Sequence, residues 1–131
     1  MTHPTLPQHP NHINMALSPS RQQRLLRYQQ EYKQLTQEVT QVGYVLQGSL
    51  AKRWMRCGKK NCACQKDPQA RHGPYYQWSW KDRGRTASVY LTAEQAELCQ
   101  QWIANSRQLE RLLKRMRDLS LRMARLYDIR Q

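Results

Sequence analysis

Four residues constrain this chain more than any others. Cys57, Cys62, Cys64 and His72 follow one another with the spacing C-x4-C-x-C-x7-H. Three thiolates and one imidazole are the number and kind of donors that close a tetrahedral zinc shell. With four protein ligands no position stays open for water, so the metal expected here, Zn2+, is structural rather than hydrolytic. Gly58 and Gly73 are expected to let the backbone turn tightly around it, and Lys59 and Lys60 to help keep the thiolates deprotonated. Reduced, unligated cysteines beside a His72 that caps a strand are the plain alternative, and a redox or iron–sulfur role is a third. The remaining cysteine, Cys99, falls on a helical stripe and reads as a core thiol.

The segment holding this cluster differs from what lies on either side. Ahead of it, Ser18 or Ser20 can cap a helix and Pro19 suits a first turn. Leu25, Tyr28, Tyr32, Leu35, Val39 and Val42 then recur in steps of three and four, which predicts a helix over residues 20–43, with Gly43 as its stop. Behind it, Thr92 with Gln95 forms a capping-box start, and a helical pattern covers residues 92–131 as one helix or two. There Cys99, Trp102, Ser106, Leu109, Leu113, Met116, Ser120, Met123 and Tyr127 make a stripe that Leu112, Leu119 and Leu126 widen. The two helices are expected to pair as an antiparallel hairpin, and the surplus of the stripe, at Leu109, Leu113, Met116 and Met123, to receive a partner or a second copy of the chain.

Between them, residues 44–91 change period from 3.6 to two. Leu50, Lys52 and Trp54 alternate with Ala51, Arg53 and Met55; Tyr76, Trp78 and Trp80 share one face, as do Ala87, Val89 and Leu91. Trp78 and Trp80 are expected to be buried. The turn around Asp82, Arg83 and Gly84 joins the last two runs as a hairpin. The fold class is therefore α+β: a small, zinc-knuckle-like three-stranded antiparallel sheet flanked by an N-terminal helix and a long C-terminal one. Residues 20–131 form one domain. Residues 1–19, with Pro4, Pro7, Pro10 and Pro19 beside His3, His9 and His12, are expected to be a disordered tail.

The chain carries 22 lysines and arginines against 9 acidic residues, a net charge of +13. Residues 49–91 hold ten of the basic residues and only Asp67 and Asp82, a local balance of 10 − 2 = +8. They are interleaved with Trp54, Tyr75, Tyr76, Trp78, Trp80 and Tyr90. Cations that fix phosphates beside aromatics on which bases stack suit a nucleic-acid surface. Arg53, Lys59, Lys60, Arg71, Lys81, Arg83 and Arg85 are the candidate contacts. The helix that follows, with eight basic and five acidic residues, reads as a solvated face with pairs such as Glu110 and Lys114. No glycine-rich phosphate loop, nucleophile elbow or H-E-x-x-H motif is present, and the acidic residues do not cluster as a metal-dependent nuclease needs. A non-catalytic protein is expected. No stretch is apolar enough for a membrane span, and without the pattern of a signal peptide the cytoplasm is the expected compartment.

The order Gly48-Ser49-Leu50, Arg56-Cys57-Gly58-Lys59 with Cys62 and Cys64, His72-Gly73-Pro74-Tyr75-Tyr76, then a hairpin ending at Val89-Tyr90 and a charged helix, resembles a family of small uncharacterised prokaryotic proteins, DUF6788-like, over about residues 20 to 125. Such proteins often lie near mobile elements. The resemblance implies DNA before RNA as the partner, and a recombinase- or transposase-type protein as a companion. It carries no activity with it. A protein-interaction adaptor or dimerisation module built on the C-terminal stripe is the alternative function.

Overall fold

The computed structural model describes residues 16–129; the expected tail up to residue 15, with its three histidines, lies outside them. The elements follow in the order α1 (Pro19–Gln41), β1 (Ser49–Met55), two short 3₁₀ turns, β2 (His72–Asp82), β3 (Arg85–Leu91) and α2 (Ala93–Leu126). The fold is α+β, with two helices flanking a three-stranded antiparallel sheet of order β1-β2-β3. The chain divides into two compact units, one of residues up to Thr36 together with Arg115 onwards, the other Gln37–Lys114.

The first unit is a helix pair. Ser18 caps α1, its Oγ accepting the backbone N–H of Arg21 at 3.4 Å, with Pro19 as the first helical residue. Arg21 donates to the Leu126 carbonyl at 2.9 Å and to Asp128 Oδ1 at 3.1 Å, while Arg115 lies 3.7 Å from Glu31. Position 21 against 126 and position 31 against 115 define antiparallel helices, and the Arg21 guanidinium sits where the carbonyls at a helix C-terminus attract a cation. The α1 stripe is correctly placed, since Leu35 is fully buried and Leu25, Tyr28 and Tyr32 are half-buried.

α2 is one helix of 34 residues. It starts on the expected capping box: Thr92 N–H donates to Gln95 Oε1 at 2.9 Å, and Gln95 N–H donates to Thr92 Oγ1 at 3.2 Å. It stops earlier than the sequence pattern does. Asp128 adopts a left-handed φ of 61°, and the N–H groups of Asp128 and Ile129 turn back to the carbonyls of Arg125 and Ala124, a Schellman ending without a glycine. Its buried line runs through Ala96, Ile103, Leu112, Leu119 and Leu126. Leu109, Leu113, Met116, Met123 and Cys99 flank that line and are half-buried, so Cys99 is not the core thiol expected. The Glu110–Lys114 pair does not form: among the described residues the ion pairs are Arg21–Asp128 and Glu31–Arg115. Thr92→Ala removes one half of the capping box and is expected to lower stability by about 1 kcal/mol, read as a lower thermal midpoint; an unchanged midpoint would show that the box contributes nothing.

In the second unit the register places Leu50 opposite Trp78, Trp78 opposite Val89, Tyr76 opposite Leu91 and Trp80 opposite Ala87. These side chains share one face. Trp78 and Trp80 stack with centroids 4.0 Å apart and planes 21° apart, and Trp78 Nε1 donates to the Gln47 carbonyl at 2.9 Å. Both are half-buried rather than buried. The reason is general to the segment: the fully buried residues are Leu35 on α1, five residues on α2, and Cys64, so no strand contributes one. The connector from α1 to β1 is tied to α2 by Leu46 N–H to the Trp102 carbonyl at 3.1 Å and by Asn105 Nδ2 to the Tyr44 carbonyl at 2.9 Å. The opposite sheet face carries Arg53 beside Tyr75, then Gln77 between Ala51 and Tyr90, and Lys81 beside Thr86. The β2–β3 turn is a two-residue type with positive φ at Arg83 and Gly84.

Candidate metal centre

Three local structures deliver the four donors. Cys57 lies two residues past the end of β1, Cys62 is the N-cap of the first 3₁₀ turn, Ala63–Gln65, and Cys64 lies inside that turn. His72 opens β2, ahead of the alternation of Tyr76, Trp78 and Trp80, and pairs with Met55 at the end of β1. Strand pairing thus holds the imidazole beside the chain that leads into Cys57. The four ligand atoms lie within 4.8 Å of one another. Cys64 Sγ is 3.6 Å from Cys57 Sγ, and Cys62 Sγ is 3.3 Å from His72 Nε2. The cluster forms a candidate metal site from residues 57, 62, 64 and 72.

Hydrogen bonds shape the sulfurs before any ion arrives. Cys57 N–H donates to Cys64 Sγ at 3.2 Å, a contact that a thiolate strengthens. The Cys62 thiol is lowered from 9.0 to about 6 by the backbone N–H of Cys64, then by His72 and the side chains of Cys64 and Cys57. Lys59 and Lys60, the lysines expected to supply that effect, are not among its causes. For Cys64 the Cys57 N–H pulls downward, but burial and the neighbouring sulfurs of Cys62 and Cys57 outweigh it, and the thiol stands above its ordinary value. A bound cation reverses that balance, because a coordinating thiol is deprotonated outright.

A residue the sequence gives no signal for holds the loop shut. Gln65 Nε2 donates to the Cys57 carbonyl at 2.6 Å and to the Lys59 carbonyl at 3.3 Å, clamping both ends of the Cys57–Lys59 bend. Asp67 caps the second 3₁₀ turn, Pro68–Ala70, by accepting from Gln69 N–H at 3.0 Å. The two glycines differ. Gly73 has φ 143°, and a Cβ there would stand 2.7 Å from the Arg53 carbonyl oxygen and 3.2 Å from Trp54 Cα, so only glycine lets β2 begin so close to β1. At Gly58 a Cβ would meet nothing within 4 Å and φ is not positive, so the expected need for glycine there does not arise.

The candidate phosphate contacts fall into two groups. Lys59, Lys60 and Arg71 surround the cysteine cluster, whereas Lys81, Arg83 and Arg85 sit at the hairpin end. Lys81 lies nine residues beyond His72 along the strand, about 30 Å away. Arg53, paired with Tyr75, stands between the two groups on the open sheet face.

A short antiparallel sheet whose first two strands are joined at one end by a Cys3His cluster, preceded and followed in the chain by a helix, defines a small α+β protein built around a candidate metal centre. The chain belongs to the family described as a domain of unknown function, DUF6788, whose model matches residues 20–101. That span takes in α1, the cluster and the whole sheet, and ends in the first turns of α2, short of the residue 125 to which the motif resemblance extends. No curated protein and no solved structure matches the chain.

Proposed function

We propose that this is a zinc-stabilised, non-catalytic nucleic-acid-binding protein, with DNA before RNA as its partner. Zinc is supported by the donor set: thiolates favour it over magnesium or calcium, and Zn–S bonds of about 2.3 Å in a tetrahedron space two sulfurs about 3.8 Å apart, near the 3.6 Å between Cys57 and Cys64. One observation carries the nucleic-acid reading. All ten basic residues of 49–91 are exposed, and none forms an ion pair among the described residues. A positive field of that size, ten cations against two carboxylates with no ion pair formed, selects a polyanion. Four protein ligands support a structural metal rather than a hydrolytic one. A role as an accessory factor of a mobile element or recombination system rests on the family resemblance. The adaptor alternative draws less support, since Leu109, Leu113, Met116 and Met123 are already half-covered by the chain itself.

The test is the salt dependence of binding. Each phosphate contact contributes about 0.9 to the slope of log K against log salt on duplex DNA. The triple variant Lys59→Glu, Lys60→Glu, Arg71→Glu is expected to weaken binding and to lower that slope by about 2 to 3, with the metal content unchanged. A slope equal to the parent's would leave these cations as a solubilising surface only.

A further inference from the structure

The sheet's two faces differ in a way that the phosphate contacts do not explain. One is largely apolar, half-buried at Leu50, Tyr76, Trp78, Trp80, Ala87 and Leu91 but exposed at Trp54 and Val89. The other is open, and it exposes two aromatic rings: Tyr75 at 41% and Tyr90 at 55% of their surface. The rings meet edge to face, centroids 6.5 Å apart at 70°, so their outer faces stay available. Tyr90 and Gln77 are a cross-strand pair, and Gln77 Nε2 is held by Ser88 Oγ at 3.1 Å. Arg53 is the cross-strand partner of Tyr75, and Lys81 lies six residues further along β2 on the same face. None of the strand residues on that face is a carboxylate, since Asp82 falls on the other one.

Resting on the nucleic-acid reading above, we propose that this face is a base-stacking platform for single-stranded nucleic acid, with Tyr75 and Tyr90 each receiving an unpaired base and Arg53 and Lys81 holding the backbone at either end. The preference for single strands follows from what a ring needs. A tyrosine stacks on the flat of a base, and in a duplex those flats are covered by neighbouring pairs while only base edges reach the grooves. Stacking tolerates any base, so the platform is indifferent to sequence. Cations at both ends of the open face, with no carboxylate between them, match a phosphate backbone running along β2.

The probes are fluorescent oligomers of about twelve nucleotides, oligo(dT), oligo(rU) and a DNA duplex, titrated with the zinc-loaded full chain at about 0.1 M salt. The parent is expected to bind one or both single strands at least about tenfold more tightly than the duplex; a preference for oligo(dT) assigns DNA and a preference for oligo(rU) assigns RNA. Tyr75→Ala with Tyr90→Ala is expected to weaken single-strand binding about 100-fold with little change in salt slope, and Tyr75→Phe with Tyr90→Phe, which keeps the rings, to restore it. Equal binding of single strand and duplex, or an alanine variant that folds, keeps its metal and binds like the parent, overturns the platform while leaving the phosphate reading standing. No binding to any of the three probes overturns both.

Discussion

Replacing Cys64 with serine is expected to remove the metal and to loosen the whole sheet segment while the paired helix ends persist. Cys64 is 1% exposed and is the one fully buried residue outside the two helices among those described. Its sulfur receives the Cys57 N–H at 3.2 Å and stands 3.6 Å from the Cys57 sulfur, so it occupies the centre of the cluster rather than its rim. A hydroxyl in its place is a shorter and harder donor and a poor ligand for a metal that favours thiolate. In a segment without a fully buried strand residue, bonds to a bound metal would stand in for the missing core, and their free energy would be folding free energy. Metal affinity should fall by more than about 100-fold, with a matching drop in thermal midpoint. The stacked Trp78–Trp80 pair is the local reporter: its near-ultraviolet circular dichroism should fade, while the far-ultraviolet helix signal from the Arg21–Asp128 and Glu31–Arg115 region, which shares no residue with the site, should largely remain. Chelation of the parent should reproduce the effect, and Cys99→Ser should not. Full metal stoichiometry and an unchanged midpoint in the Cys64 variant would end the metal-centre reading.

Much of this arrangement was written in local patterns. Period-two alternation places Tyr76, Trp78, Trp80, Ala87, Val89 and Leu91 on one face because side chains on adjacent strands must agree in parity once the register is set. The reciprocal cap at Thr92 and Gln95 and the cysteine spacing are equally local, and both are found where the sequence puts them. What the patterns miss is non-local. The start of β2 is hidden because Gly73-Pro74 reads as a turn, yet His72 is held in a strand by pairing with Met55 across the sheet. The stripe on α2 is found, but its deepest line passes through Ile103, Leu112, Leu119 and Leu126, slightly rotated from the centre of the three-four repeat, because the direction a helix faces is decided by what packs on it. The tryptophans are half-open because nothing in a sequence tells how completely a face will be covered. The lowered Cys62 thiol arises from N–H and imidazole contacts that exist only after the loop closes, and the lysine side chains that catch the eye in the sequence are not among its causes.

Gly73→Ala is the second substitution with a large expected effect, and its argument is geometric rather than chemical. No ligand is altered, yet the residue next to His72 must change its path. A φ of 143° lies in a region that essentially only glycine occupies, at a cost of about 1 to 3 kcal/mol for any other residue. The added Cβ would also meet the Arg53 carbonyl oxygen at 2.7 Å and Trp54 Cα and Cδ1 at 3.2 Å, which are mostly backbone and cannot swing aside. Relief requires β2 to draw back from β1 at the end where His72 faces Cys62 across 3.3 Å. The imidazole should then leave the cluster, so the variant is expected to bind metal more weakly while retaining all four donors, and to melt lower by roughly 4 to 8 °C for each kcal/mol lost. Gly58→Ala is the paired control. It too stands one residue from a ligand, Cys57, but its φ is not positive and its Cβ would enter open space, so it should leave the metal in place and shift the midpoint little, or raise it through the reduced freedom of the unfolded chain. If the two alanine variants behave alike, the close approach of β2 to β1 at Gly73 does not hold His72 in the site, and the cysteines alone set the metal's position.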